Sequence, residues 1–133
     1  MAFLIHSVDD GHVPAWEYRP CDDITVTVGM ALAFSSGHLV KATGTTVPTH
    51  ISMVNATVST DGDLIPTIRV THDIIFETTC AADNSASAVG SKVTLHTDGA
   101  QVTATTTSGV AEIVEIVSTV SGSPYGGIER VRF

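Results

Sequence analysis

Apolar residues in this chain recur at every second position over short stretches, and Gly, Ser, Pro or Asp-Gly separate one stretch from the next. Ile24, Val26 and Val28 alternate with Thr25 and Thr27, the period of a half-buried strand. Gly29 then marks a bend or bulge. Ser35-Ser36-Gly37-His38 joins Ala31–Phe34 to Leu39–Ala42 as a hairpin, and Thr49 to Asn55 forms a further strand. Asp61-Gly62-Asp63 is a turn, because Asp-Gly readily supplies backbone at positive φ. The longest predicted strand runs from Thr67 to Thr78, with Ile68, Val70, His72, Ile74 and Phe76 on one face and only Ile75 breaking the alternation.

The loop from Cys80 to Ser91 is rich in small residues and could hold one helical turn around Ser85 to Val89. Lys92–Thr97 and Gln101–Thr107 read as a second hairpin through Asp98-Gly99. Val110 to Val120 is ambiguous: Ile113, Val114, Ile116 and Val117 have helical spacing, yet its many β-branched residues oppose a helix, and strand is favoured. Ile128 to Phe133 closes the chain with Val131 and Phe133 on one face and Arg130 and Arg132 on the other. Such short strands joined by turn residues predict an all-β, single-domain barrel or sandwich.

Size agrees, since 133 residues make one domain, long enough to bury a real core but not to hold two domains. The formal net charge is −8, from 6 Lys and Arg against 14 Asp and Glu, and the basic residues are scattered. Nucleic-acid binding needs clustered Lys and Arg to neutralise phosphates, so this composition argues against it, and against contact with anionic lipid. Charged residues make up only 15%, which suggests that part of the surface meets protein instead of water. No apolar run approaches the roughly 20 residues of a membrane-spanning helix. The MAFLIH start lacks the basic first segment of a secretory signal. Cys21 and Cys80 make no disulfide framework, and two independent thiols are the favoured reading.

Residues 1–22 differ from the remainder, residues 23–133. They show no period, and they set Phe3, Leu4, Ile5, Trp16 and Tyr18 among Asp, Gly and Pro. Two readings stand. The segment could pack its large side chains on its own domain. Or it is an extended N-terminal arm that anchors Phe3, Leu4, Ile5, Trp16 and Tyr18 on a neighbouring subunit, since large aromatics serve as interface anchors.

Candidate chemistry is sparse. None of the six histidines pairs with another at metal-ligand spacing, and neither cysteine has a CxxC partner, so no cofactor or metal is expected. His72 and Asp73, as neighbours on a strand, would point to opposite faces; His72 reads as a core or interface histidine. Asp9-Asp10 and Asp22-Asp23 lack the further oxygen ligands of a calcium loop and read as solvated turn acids. There is no GxSxG, P-loop or GxGxxG on a βα unit. The characteristic acid-bearing motifs of small trimeric nucleotide hydrolases are also missing. No enzymatic activity is expected.

The runs YRPCDD, ITVTVGMALAF, GHLVKA, THISM and IPTIRV, then VGSKVTLHTDGAQVT and IERVRF, carry a resemblance that covers nearly the whole chain. It resembles the small head decoration, or cement, proteins of tailed bacteriophages. The resemblance implies a barrel- or tulip-like β domain on the outside of an expanded capsid, commonly trimeric, with an N-terminal segment reaching neighbouring capsomers. The partners it implies are the major capsid protein and further copies of the chain. The location it implies is the outer surface of a virion assembled in the bacterial cytoplasm. The alternative is a small β-sandwich binding module, for carbohydrate or a host surface, which would need exposed aromatics grouped on one face.

Overall fold

The computed structural model describes residues 1–133 and is all-β. The strands are β1 (Leu4–Val8), β2 (Trp16–Cys21), β3 (Thr25–Val26), β4 (Ala31–Ser35), β5 (His38–Lys41) and β6 (His50–Ser52). They continue as β7 (Ala56–Thr57), β8 (Asp63–Arg69), β9 (Ile74–Thr79), β10 (Lys92–Val93), β11 (Ala111–Ile116) and β12 (Ile128–Arg132). Five of them close into a barrel in the order β2-β5-β4-β6-β8, and five form a sheet in the order β1-β9-β12-β11-β10. The short pair β3-β7 stands apart.

Period-two alternation explains how two cores arise from one barrel wall. Leu32, Leu39 and Ile65 point into the barrel, where they pack with Cys21, Val26, Met30 and Val58. Their neighbours Ala31, Ala33, Ile51 and Ile68 point outward and pack against the sheet, meeting Ile74, Phe76, Val93, Ile113 and Val131. Wherever the sheet covers the barrel, the wall is therefore apolar on both sides.

Turn chemistry sets the connections. The β4–β5 hairpin turns on Ser36 and Gly37, both at positive φ, as its Ser-Gly sequence predicts. Asp61-Gly62 turns the chain into β8 with Gly62 at φ 91°. The turn at Asp98-Gly99 also forms, and the two arms of the predicted hairpin meet through the Leu95–Val102 bridge and backbone hydrogen bonds of Thr94 with Thr103 and Thr105 and of His96 with Gln101, while Lys92–Val93 pairs with β11.

Four expectations are corrected. The single strand predicted from Thr67 to Thr78 is two strands, β8 in the barrel and β9 in the sheet. The break falls at Val70–Asp73, where Thr71 hydrogen-bonds the Asp73 carboxylate and the Ile74 amide donates back to the Thr71 carbonyl at 3.2 Å. His72 is consequently exposed, with its Nδ1 3.1 Å from the Phe133 carbonyl, and is not a core histidine. No helical turn forms between Ser85 and Val89.

The fourth correction concerns residues 1–22, which are built into the domain and do not extend from it. β1 lies antiparallel to β9 at the edge of the sheet, and β2 pairs with β8 along its whole length. Chain continuity through Cys21 into the barrel leaves no boundary at residue 22. Val110–Val120 contributes the strand β11, in line with its β-branched content. A register shift between Ile113 and Glu115 accounts for its helix-like spacing, because a bulge moves later side chains by one position. Cys21 and Cys80 are both free and buried, and they belong to different cores.

Candidate functional site

The five residues expected to meet a partner separate into three environments. Phe3 is 1% exposed and sits edge-on to Phe76 and Phe133, at ring-centroid distances of 6.5 Å and 5.4 Å. It belongs to the core and is withdrawn as a contact residue: β1 enters the sheet with this ring on its covered side. Leu4 and Ile5 are exposed on the edge strand β1, opposite Glu77 and Phe76.

Trp16 and Tyr18 are 58% and 59% exposed and lie two positions apart on β2, so they share its outer face. Register extends that face across the barrel wall. Tyr18 stands opposite Pro66 and Pro20 opposite Leu64, which is itself 62% exposed. The result is an apolar ridge of two aromatics, two prolines and a leucine on a part of the barrel that the sheet does not cover. Leu64 and Pro66 were not foreseen as its members, because only the β2–β8 register brings them beside Trp16 and Tyr18.

Behind the ridge, on the inner face of the same two strands, is an ionic cluster. Glu17 accepts two hydrogen bonds from Arg69, at 2.9 Å and 3.3 Å, and a further one from Arg19. The Arg69 hydrogen bonds, together with the charges of Arg19 and Arg69, hold the Glu17 carboxyl down to about 2, against the cost of desolvation. His50 Nε2 is 3.9 Å from the Glu17 carboxylate, with no hydrogen-bond partner, and its ring meets Phe34 edge-on at 5.5 Å. Burial pushes the His50 pKa down, and the Glu17 charge only partly offsets this. The cluster locks β2 onto β8 and so fixes the strand that presents Trp16 and Tyr18.

At the far end of the ridge the surface becomes acidic. Asp22 follows Pro20 by two positions, and the turn before β8 brings Asp61 beside it. The Asp23 amide donates to Asp61 Oδ1 at 2.9 Å, and the Asp22 pKa is raised chiefly by its hydrogen bond with the Asp61 carboxyl. His38 Nδ1 is 3.9 Å from Asp22, and no Lys or Arg pairs with this group. Asp22, His38 and Asp61 are close enough to share one cation, as are Asp10, His12 and Asp73 near β9. Both groups are solvent-facing and lack buried ligands, so neither forms a metal centre of the enclosed kind.

One buried carboxylate escaped the sequence reading altogether. Glu129 is fully buried, its Oε1 accepts from Asn84 Nδ2 at 3.2 Å, and its Oε2 has no partner. Asn84 in turn accepts the Val120 amide at 2.8 Å and donates to the Ser118 carbonyl at 3.2 Å. A Cβ on Gly127 would stand 2.3 Å from Asn84 Oδ1, so the glycine keeps this bracket in place. These bonds tie the loop after β9 to β12, a structural task.

The other nitrogen of the His50 ring, Nδ1, lies 3.0 Å from the Thr49 hydroxyl, and Thr49 itself is exposed. Compared with protein-family models, with curated proteins and with solved structures, the chain matches none.

Proposed function

We propose that this protein is a capsid decoration protein of a tailed bacteriophage, a tulip-like β domain that binds the outside of the expanded head as a trimer. The observation that carries the reading is the exposed ridge of Trp16, Tyr18, Pro20, Leu64 and Pro66 on a barrel wall braced from behind by Glu17 and Arg69. Soluble domains rarely leave adjacent aromatics and aliphatics uncovered unless a partner covers them. A cement protein also needs no chemistry. It binds the assembled shell in preference to its precursor and stabilises that shell by mass action. Many copies bridging neighbouring subunits strengthen the lattice even when each binds modestly. The acidic balance of the chain suits a particle exterior, away from packaged DNA.

The test is co-sedimentation with expanded capsids of the encoding phage. The wild-type chain is expected in the capsid pellet, and Trp16→Ala combined with Tyr18→Ala in the supernatant. Equal pelleting of both proteins would remove the ridge from the account.

A second reading has an observation in its favour: Trp16 and Tyr18 are exposed together on one face, as a carbohydrate-binding surface requires. Against it, the positions beside them are Pro20, Leu64 and Pro66, which bring no side-chain donors or acceptors to hold sugar hydroxyls. Binding to a polysaccharide column that free glycan elutes would favour this reading.

A further inference from the structure

The ridge and the acidic turn are one continuous surface. Trp16, Tyr18 and Pro20 are alternate residues on the same face of β2, Asp22 follows just beyond the strand's end, and Asp61 stands beside Asp22 at the turn. Asp22 is six positions along the chain from Trp16, so the strip is about 20 Å long at the rise of a strand. Its two ends differ in charge balance. All four arginines are engaged within the fold: Arg19 and Arg69 with Glu17, Arg130 with Glu77 and Glu115, and Arg132 with Asp9 at 3.8 Å. Asp22, Asp23 and Asp61 form no ion pair with an arginine or lysine of this chain, and the His38 ring is 3.9 Å from Asp22.

We propose that this strip is the docking surface for a protein segment of complementary order, an apolar run followed by lysine or arginine side chains, which in the decoration reading belongs to the capsid subunit. Charge argues against a second copy as the occupant. Each copy carries −8, its arginines are already paired, and only Lys41 and Lys92 stand outside the ion pairs. The partner's cations would neutralise the aspartates while its apolar residues cover Trp16 and Tyr18. Electrostatics would then set the direction in which the segment lies along the strip.

Trp16 is the only tryptophan, so its emission reports occupancy of the ridge without a label. The full chain is titrated with a synthetic peptide of valine and leucine carrying a lysine tail, and with the same peptide carrying a glutamate tail. The expected result is a blue shift with the lysine peptide and none with the glutamate peptide. Asp22→Asn with Asp61→Asn should weaken the lysine peptide about three- to tenfold, in the range of exposed ion pairs, and added salt should do the same. Comparing the two peptides on the unaltered chain keeps the test valid even if a variant misfolds. Equal responses to both peptides, or no response to either, would overturn the proposal. A blue shift on concentrating the protein alone, with dimers in sedimentation, would overturn it in favour of a second copy. The peptides need no capsid: capsid binding without peptide discrimination sinks this proposal alone, and the reverse result sinks the decoration reading alone.

Discussion

The Phe3 amide donates to the Gly29 carbonyl at 2.9 Å, and a Cβ on Gly29 would stand 2.5 Å from the Ala2 Cβ. Gly29, at φ +82°, is thus both a bend in its own segment and the floor on which the N-terminus rests. This contact decides that the first residues belong to the core. Gly29→Ala combines a left-handed backbone with a clash, and the expected loss is about 2 kcal/mol or more. Denaturant titration measures it; a midpoint equal to wild type would show that the N-terminus is free to move aside.

Phe3→Ala should cost about 3–5 kcal/mol, the range for a fully buried aromatic. Leu4→Ala, one position along and exposed, should stay within about 0.5 kcal/mol of wild type. Urea unfolding of the two variants separates a docked strand from a free arm. Equal small losses would restore the arm.

Those residues show where the sequence was legible and where it was not. Period two, turn glycines and β-branched residues identified an all-β chain, and the hairpin at Ser36-Gly37 and the strand at Ile128 came out near their places. Partnering was not legible. Thr67 to Thr78 alternates almost without fault, and nothing in that alternation says that its halves enter different sheets. Trp16 and Tyr18 were visible as aromatics; Leu64 and Pro66 became their neighbours only through pairings 44 and 48 positions apart in the chain (Pro20 with Leu64, Tyr18 with Pro66), a separation that pattern reading does not bridge. Glu129 drew no notice in the sequence, because only the Asn84 bracket gives a carboxylate reason to be inside.

Acid should weaken the fold in two stages. The folded-state pKa of His50 lies below its ordinary 6.5 because of burial, so its contribution is complete above that value and is lost as pH falls below it. Glu17, depressed from 4.5 to about 2, adds a second loss as pH falls through that lower window. His50→Gln should flatten the upper stage and leave the lower one. Unfolding free energies from pH 8 down to pH 3 test this, and an unchanged upper stage in the variant would assign it elsewhere.

Glu129 works in the opposite sense. Burial raises its pKa, so the wild-type fold is favoured while the carboxyl is protonated and loses stability as pH rises through the raised value. Glu129→Gln keeps an acceptor for Asn84 and removes the buried charge. The variant should match wild type near pH 4 and exceed it at pH 8 by thermal denaturation. A variant weaker at pH 8 would mean that the ionised carboxylate has a partner.

Both cysteines are buried, and desolvation pushes their thiols up from the ordinary range. A thiol reagent should therefore label neither in the native protein and both after denaturation. Rapid native labelling of one site would show that its core opens.

The central claim, that this domain decorates a phage head, is tested most directly by quantitative mass spectrometry of purified particles from the encoding phage. The account predicts the protein in mature heads at a copy number comparable to that of the major capsid protein, and its absence from unexpanded precursors. Mature particles without it would contradict the account, and the Trp16–Tyr18 face would then be examined as a binding site of a free β domain.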